Sequence, residues 1–330
     1  MTPTPTNTTT SVDGLCEVRH LSKRYGDHTV VDDLSFSIPR GHVVGLIGPN
    51  GAGKTTTMKM LLGLVRPSGG DIALLGRTLG EPGWGDVLRR VGSMIEEPPI
   101  YHRLTARQNL QYQCLAVRGA VDDHEVDELL RLVDLTGRAD DRPRGYSLGM
   151  RQRLGIAITL VGQPDLAILD EPGNGLDPAG IIEIRRLMGR LPDTGTTVLV
   201  SSHQLAEVEQ ACDQLIILAD GRTVAQGTTS HILSGRSQHV FHLTVDTTDV
   251  GRAAAALHTA GVDVTEQVGG TFVVTPPAKV GGRQLNELLV AVGVFATSIG
   301  QQATSLEDAF LELVRTEHAE RPTTQEAGRS

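Results

Sequence analysis

Aromatic side chains are scarce in this sequence: one Trp, four Tyr and five Phe make up 3% of 330 residues. That is too few to build the stacking platforms on which single-stranded nucleic acid is bound. Cationic charge is also in deficit, with 30 Lys and Arg against 39 Asp and Glu and a net charge of −9 at pH 7. Non-specific nucleic-acid binding depends on a surplus of cations, so the balance argues against that class. Cys16, Cys114 and Cys212 are odd in number, widely separated and never in C-x-x-C spacing, the usage of reduced intracellular thiols rather than of bridges or metal ligands. Long apolar runs are missing too. Residues 154–161 and 288–296 are the best of them, contain Gly155 and Gly293, and fall short of the ~20 residues that a membrane-spanning helix needs. The N-terminal MTPTPTNTTTS has neither the basic nor the apolar region of a signal peptide, so residues 1–14 read as a disordered Thr/Pro-rich tail and a cytoplasmic location is expected.

What is present suits a globular chain of roughly two domains at ~150 residues each, with 39% hydrophobic and 21% charged residues. Alternating runs at 16–21, 30–31 and 34–38 predict an antiparallel β-layer that leads into an apolar strand at 43–47. Residues 54–64 have helical periodicity, Pro67-Ser68-Gly69-Gly70 breaks it, and 71–75 is extended. From 81 to 163 helical patterns predominate, including 107–117, 123–135 and 148–161. Apolar runs at 166–169 and 197–200, separated by the amphipathic stretch 181–191, are of buried parallel-strand type. Asp220-Gly221, between extended runs at 214–218 and 223–226, predicts a type I′ turn with positive φ at both residues. The regular core ends near Gly235. Beyond it, 240–245, 253–260, 262–274, 283–294 and a final helix 305–314 predict a strand-helix-strand-helix order, hence a small α+β domain over 236–315 before a disordered tail at 316–330. The fold class is α/β.

Gly48-Pro49-Asn50-Gly51-Ala52-Gly53-Lys54-Thr55 satisfies G-x-x-x-x-G-K-[ST] between a predicted strand and a predicted helix, the context of a P-loop. Glycines let consecutive N–H groups converge on phosphate oxygens, and the helix start at Lys54, Thr55 and Thr56 adds positive potential. Lys54 is placed to reach the β- and γ-phosphates. Thr55 offers a hydroxyl to Mg²⁺, which needs only one or two protein oxygens. Downstream, Leu166-Ala167-Ile168-Leu169-Asp170-Glu171 brings two carboxylates to the carboxyl end of a strand, where α/β sheets bind ligands. Strand alternation places them on opposite faces, Asp170 for the Mg²⁺ shell and Glu171 to polarise an attacking water.

From about residue 15 to 235 the chain resembles the ATP-binding subunit of an ABC transporter. The resemblance implies a P-loop NTPase fold with a mixed sheet core, an antiparallel β-layer and a helical subdomain, followed by the accessory α+β domain of many drug-export ATPases. ATP and Mg²⁺ are the implied cofactors. Tyr25 stands where the family stacks an aromatic on adenine. Tyr146-Ser147-Leu148-Gly149-Met150 looks like the signature segment, in which Leu148 and Met150 depart from LSGGQ while Ser147 and Gly149 remain. Asn174-Gly175-Leu176-Asp177 matches the D-loop, and His203 matches the switch histidine that senses the γ-phosphate. Glu96 occupies the place of the Q-loop glutamine and joins Thr55 and Asp170 as a candidate metal ligand, with tighter coupling of nucleotide affinity to Mg²⁺ as the consequence. The family further implies a head-to-tail dimer with itself or a related ATPase, in which Ser147 and Gly149 meet the nucleotide of the opposite subunit. It also implies a separate membrane permease, touched through residues 97–107, which would hold the chain peripherally at the inner face of the cell membrane. A glutamate in the Q-loop and an SLGM signature resemble the bacitracin-transport and lantibiotic-protection type, hence export of an antibiotic, peptide or drug. A rival reading, a soluble ABC ATPase that clamps DNA or ribosomes, meets the acidic charge balance and two further obstacles. No heptad insertion separates P-loop from signature, and no second G-x-x-x-x-G-K-[ST] occurs.

Overall fold

The computed structural model describes residues 14–234, 240–277, 280–301, 306–311 and 313. They divide into two compact units, the first running to Thr229 and the second Ser230–Glu312. Most of the two tail readings falls outside the described residues, although Gly14 is the first residue of a strand.

In the first unit, β1 (Gly14–Tyr25) and β2 (His28–Pro39) form a long antiparallel hairpin. β3 (Val43–Ile47) then leads through the glycine-rich turn to α1 (Lys54–Leu61). β4 (Gly69–Leu74) and β5 (Arg77–Thr78) complete a four-stranded antiparallel layer in the order β2-β1-β4-β5. Next come α2 (Trp84–Leu88), β6 (Val91–Met94), and the helices α3 (Ala106–Arg118), α4 (Asp123–Leu132) and α5 (Leu148–Thr159). β7 (Leu166–Asp170), α6 (Pro178–Arg190), β8 (Thr197–Ser202), α7 (Leu205–Ala211), β9 (Gln214–Ala219) and β10 (Arg222–Thr228) close the unit. The main sheet has the order β10-β9-β3-β8-β7-β6, parallel except for the β9-β10 hairpin.

Hydrophobic content explains the arrangement. β3, β7 and β8 are buried at every position, as strands covered on both faces must be. One core joins Leu21, Leu34 and Ile72 of the antiparallel layer, Met58 and Leu61 of α1, and Leu46, Ile168 and Leu199 of the main sheet. α1 is therefore held between the layers with its first turn free to face the carboxyl ends of the strands. The β9-β10 turn has φ of 47° at Asp220 and 76° at Gly221, as its dipeptide predicted.

Two expectations in this unit need correction. The stretch from 81 to 163, predicted as predominantly helical, contains the edge strand β6, parallel to β7. Four residues are too short to display a period, and their state was decided by pairing; a Cβ on Gly92 would lie 1.9 Å from the Thr159 carbonyl oxygen, so only glycine fits where α5 crosses. Helix α1 stops at Leu61 rather than at residue 64, because the chain turns through Gly63 at φ 70°.

After α8 (Thr229–Ser234), the second unit contains β11 (Phe241–Val245), α9 (Val250–Thr259), β12 (Asp263–Val268), β13 (Thr271–Thr275), α10 (Gly282–Ala291) and β14 (Ala296–Gln301). Its antiparallel sheet runs β12-β13-β11-β14 around a core of Phe241, Leu243, Leu257, Phe272, Leu285 and Leu289. This is the βαββαβ arrangement rather than strand-helix-strand-helix. The predicted strand 262–274 is a hairpin that turns at Gly269 and Gly270, and β14 was missed because its mixed exposure gives no alternation. Residues 306–311 are helical, with Leu306 and Ala309 buried; the rest of the predicted final helix, Leu313 apart, lies outside the described residues.

Candidate functional site

The site is built at the carboxyl ends of β3, β7 and β8, which the strand order makes neighbours. Beyond β3 the backbone passes through Gly51 (φ 85°) and Gly53 (φ 94°), and Ala52 N–H closes the turn on the Pro49 carbonyl at 3.1 Å. Gly53 caps α1 without a side chain, which leaves first-turn N–H groups directed at the concavity, a ready site for anions. Lys54 is almost wholly buried; its Nζ donates to the carbonyls of Gly48 (2.8 Å) and Pro49 (3.2 Å) and lies 3.8 Å from Glu171 Oε1. Burial pushes this ammonium below the usual lysine range, against the upward pull of Glu171 and Asp170.

Asp170 is locked from two sides. Thr55 Oγ1 donates to its Oδ2 at 2.8 Å and Ser201 Oγ donates to its Oδ1 at 2.5 Å. Ser201 also accepts the Glu171 N–H at 2.9 Å. Sequence reasoning did not assign Ser201 a role, because the only signal for it is the pairing of Asp170 with Ser201 across β7 and β8. His203, just beyond β8, has Nδ1 3.1 Å from Glu171 Oε2. One helical turn on, burial lifts the Glu207 carboxyl above the usual range while His203 opposes it, and Glu207 Oε1 is shielded without a hydrogen-bond partner.

The expected placement of Asp170 and Glu171 on opposite faces is wrong. β7 ends at Asp170 and Glu171 adopts φ 49°, which breaks the alternation, so that both carboxylates meet the P-loop, Glu171 at Lys54 and Asp170 at Thr55. Left-handed backbone at a non-glycine residue is uncommon and clusters at functional sites.

Thr55, Glu96, Asp170, Glu171 and Asn174 line one cavity of about 530 Å³. Glu96 reaches it with its carboxylate on Lys59, Oε1 to Nζ 2.6 Å, rather than on Thr55 or Asp170. The other expected nucleotide residues make contacts of their own, although Leu148, between Ser147 and Gly149, lines the same cavity. Tyr25 is half exposed beneath the Lys23 ammonium, 4.7 Å from the ring centroid. Ser147 caps α5 by accepting the Met150 N–H at 3.2 Å, and Asp177 caps α6 by accepting the Gly180 N–H at 3.1 Å. A Cβ on Gly149 would have Leu176 as its nearest neighbour, at 3.8 Å. Pro49 and Asn50 are exposed, and Thr56 lies half-buried in the first turn of α1.

Comparison with known proteins decides the family. The ABC transporter family model matches residues 31–174. The bacitracin transport ATP-binding protein BcrA of Enterococcus faecalis is 37% identical over 301 residues, 90% of this chain and 96% of its own. The chain belongs to the ABC transporter ATP-binding proteins. The lantibiotic transport ATP-binding protein SrtF of Streptococcus pyogenes is 42% identical over 213 residues, 64% of this chain and 90% of its own. A solved structure of an ATP-binding subunit of an ABC transporter superposes with a TM-score of 0.60 at 35% identity, over 67% of this chain and 92% of that one. As an ABC ATPase the chain binds and hydrolyses ATP as a subunit of a transporter. Among its described residues no helix is long and apolar enough to cross a membrane.

Proposed function

We propose that this ABC ATPase powers export of a peptide antibiotic or drug through a separate permease, by closing head-to-tail with a second copy or a related ATPase around two Mg·ATP. The observation that carries the reading is the double hydrogen bond that ties Asp170 to Thr55 and Ser201 beside the Lys54–Glu171–His203 group. Residues 15–235 are the ATP-binding domain and 236–315 the accessory domain in this reading.

The donor set fits Mg²⁺. Thr55 Oγ1 and Asp170 Oδ2 are hard oxygens in mutual contact, and the described residues hold no group of three or more His, Cys, Asp or Glu that would cage a metal by protein alone. A metal that keeps waters and takes phosphate oxygens suits such a partial set, and it supplies charge neutralisation at the phosphates. Glu96 is the third candidate oxygen, within the same cavity. Lys54 exchanges its two carbonyl acceptors for phosphate oxygens when a nucleotide enters. Glu171 accepts the proton of the attacking water. His203 is oriented through Nδ1 by Glu171, which leaves Nε2 to sense the γ-phosphate. Tyr25 stacks on adenine, and Ser147, Gly149 and Asp177 serve across the dimer.

Residues 97–107 are the proposed permease contact. Exposed Tyr101 stacks edge-on against exposed Tyr112, centroids 4.8 Å apart, and this aromatic surface supports a docking role. The substrate class rests on the bacitracin and lantibiotic transport relatives, and location at the inner face of the membrane follows from the permease. Glu171→Gln is the decisive variant: ATP binding is retained, turnover falls by about 10² to 10⁴, and an ATP-dependent dimer accumulates on size-exclusion chromatography. Unchanged turnover would overturn the assignment of the base. Recovery of a membrane subunit with the chain from detergent-solubilised membranes tests the partner; recovery with ribosomes or DNA instead would favour the clamp.

A further inference from the structure

Glu96 combines two features that neither the P-loop nor the sheet requires. Its backbone has φ 68°, and the N–H of Glu97 donates to the carbonyl of Ile95 at 2.9 Å. A three-residue turn with this hand is rare and strained, and it persists only where the surroundings enforce it. At the centre of this turn the Glu96 carboxylate is bound at 2.6 Å by Lys59 Nζ. Lys59 stands four residues after Thr55 on α1, and residues so spaced share a helix face. The cation that holds Glu96 therefore rides on the same face as the hydroxyl of the proposed metal site.

We propose that Lys59 is a positioning residue: it neutralises Glu96 and holds its carboxylate at the strained turn of residues 95–97 while nucleotide is absent, and surrenders the carboxylate when Mg·ATP enters. The inference rests on the reading of Glu96 as a metal ligand, and it adds the partner from which the carboxylate must be taken. Charge accounts for the need. An uncompensated carboxylate on the cavity that receives a triphosphate repels it. An amide has no such requirement, so a lysine here is the complement of the glutamate.

Strength accounts for the release. Side-chain exposures are 30% for Lys59 and 65% for Glu96, and partly exposed pairs contribute little net stability. A divalent cation at short range competes with such a pair successfully, and relaxation of the turn favours the same direction. Loop 95–98 joins β6 to the segment before α3, so its release couples metal binding to the approach to the proposed permease contact.

The test is a double-mutant cycle on the full chain with Lys59→Met and Glu96→Gln, read by equilibrium binding of a fluorescent ATP analogue in EDTA and again in Mg²⁺. In EDTA, Lys59→Met weakens binding about threefold or more when Glu96 is present, and leaves it unchanged in the Glu96→Gln background. With Mg²⁺ the loss shrinks, because the carboxylate is engaged elsewhere. Equal losses in both backgrounds would show that Lys59 acts on the nucleotide directly and overturn the latch, as would no loss in either. Thermal melting of the four nucleotide-free proteins separates these outcomes from misfolding. If Glu96→Gln leaves the ratio of affinities with and without Mg²⁺ unaltered, the metal role of Glu96 fails, while the EDTA arm still decides the latch.

Discussion

Gly48 has no room for a side chain: a Cβ there would lie 2.4 Å from the carbonyl oxygen of Leu218. Gly48→Ala therefore has to displace either the P-loop or β9. A loss of roughly 1–3 kcal/mol in unfolding free energy is expected, together with weakened ATP binding; denaturant titration and nucleotide affinity on the same preparation check both. At this scale the G-x-x-x-x-G-K-[ST] residues were legible because the chemistry is local. The glycine dihedrals, the preceding strand and the following helix all belong to one short segment. Ser201 was not legible as the lock on Asp170, nor Lys59 as the partner of Glu96, because each pair is separated by more than thirty residues. Glu171 was found by its place after an apolar strand, yet its direction was misjudged, since nothing in the residue names announces φ 49°.

Between elements, Asp165 is the tie that sets where β7 begins. Its carboxylate accepts Arg90 Nε at 2.7 Å, Arg90 Nη2 at 2.8 Å and Arg40 Nη1 at 3.1 Å. Those arginines precede β6 and β3, so a single carboxylate registers strands that are remote in sequence. Burial works to raise its pKa, and the hydrogen bonds from Arg90 and Arg40 outweigh it, leaving Asp165 below the ordinary value of 3.8. A depressed carboxyl contributes stability that is complete above the unfolded-state value and is lost as pH falls through the folded one. Asp165→Asn is expected to cost roughly 1–3 kcal/mol near neutral pH. The gap between parent and variant in urea melts stays constant above pH 3.8 and closes below it; a gap that persisted in acid would indicate a packing effect. Long periodic elements were legible at this scale: α4 and α6 announce themselves by amphipathic spacing. Short β6 and the mixed face of β14 were not, because four to six residues without alternation acquire their state from a neighbour.

The two compact units each have a core of their own, one that includes Met58, Ile168 and Leu199 and one around Phe272 and Leu285. Every residue of the proposed nucleotide site belongs to the first. A ligand stabilises only the part that binds it, so calorimetry of the full chain should resolve two transitions, and Mg·ATP should shift one of them. A common upward shift of both would mean that the units unfold as one cooperative block.

Contiguous pattern alone determined that this chain has a P-loop, a strand ending in paired carboxylates and a hairpin at Asp220-Gly221, since each is a property of neighbouring residues and of the dihedrals they permit. It likewise carried the family resemblance. Only the tertiary structure decided that both carboxylates meet the P-loop, that Ser201 closes on Asp170, and that Glu96 is held by Lys59. The reason is geometric: β8 is inserted between β3 and β7, and α1 packs beneath them, so the partners of each charge come from strands and helices whose adjacency no linear spacing encodes.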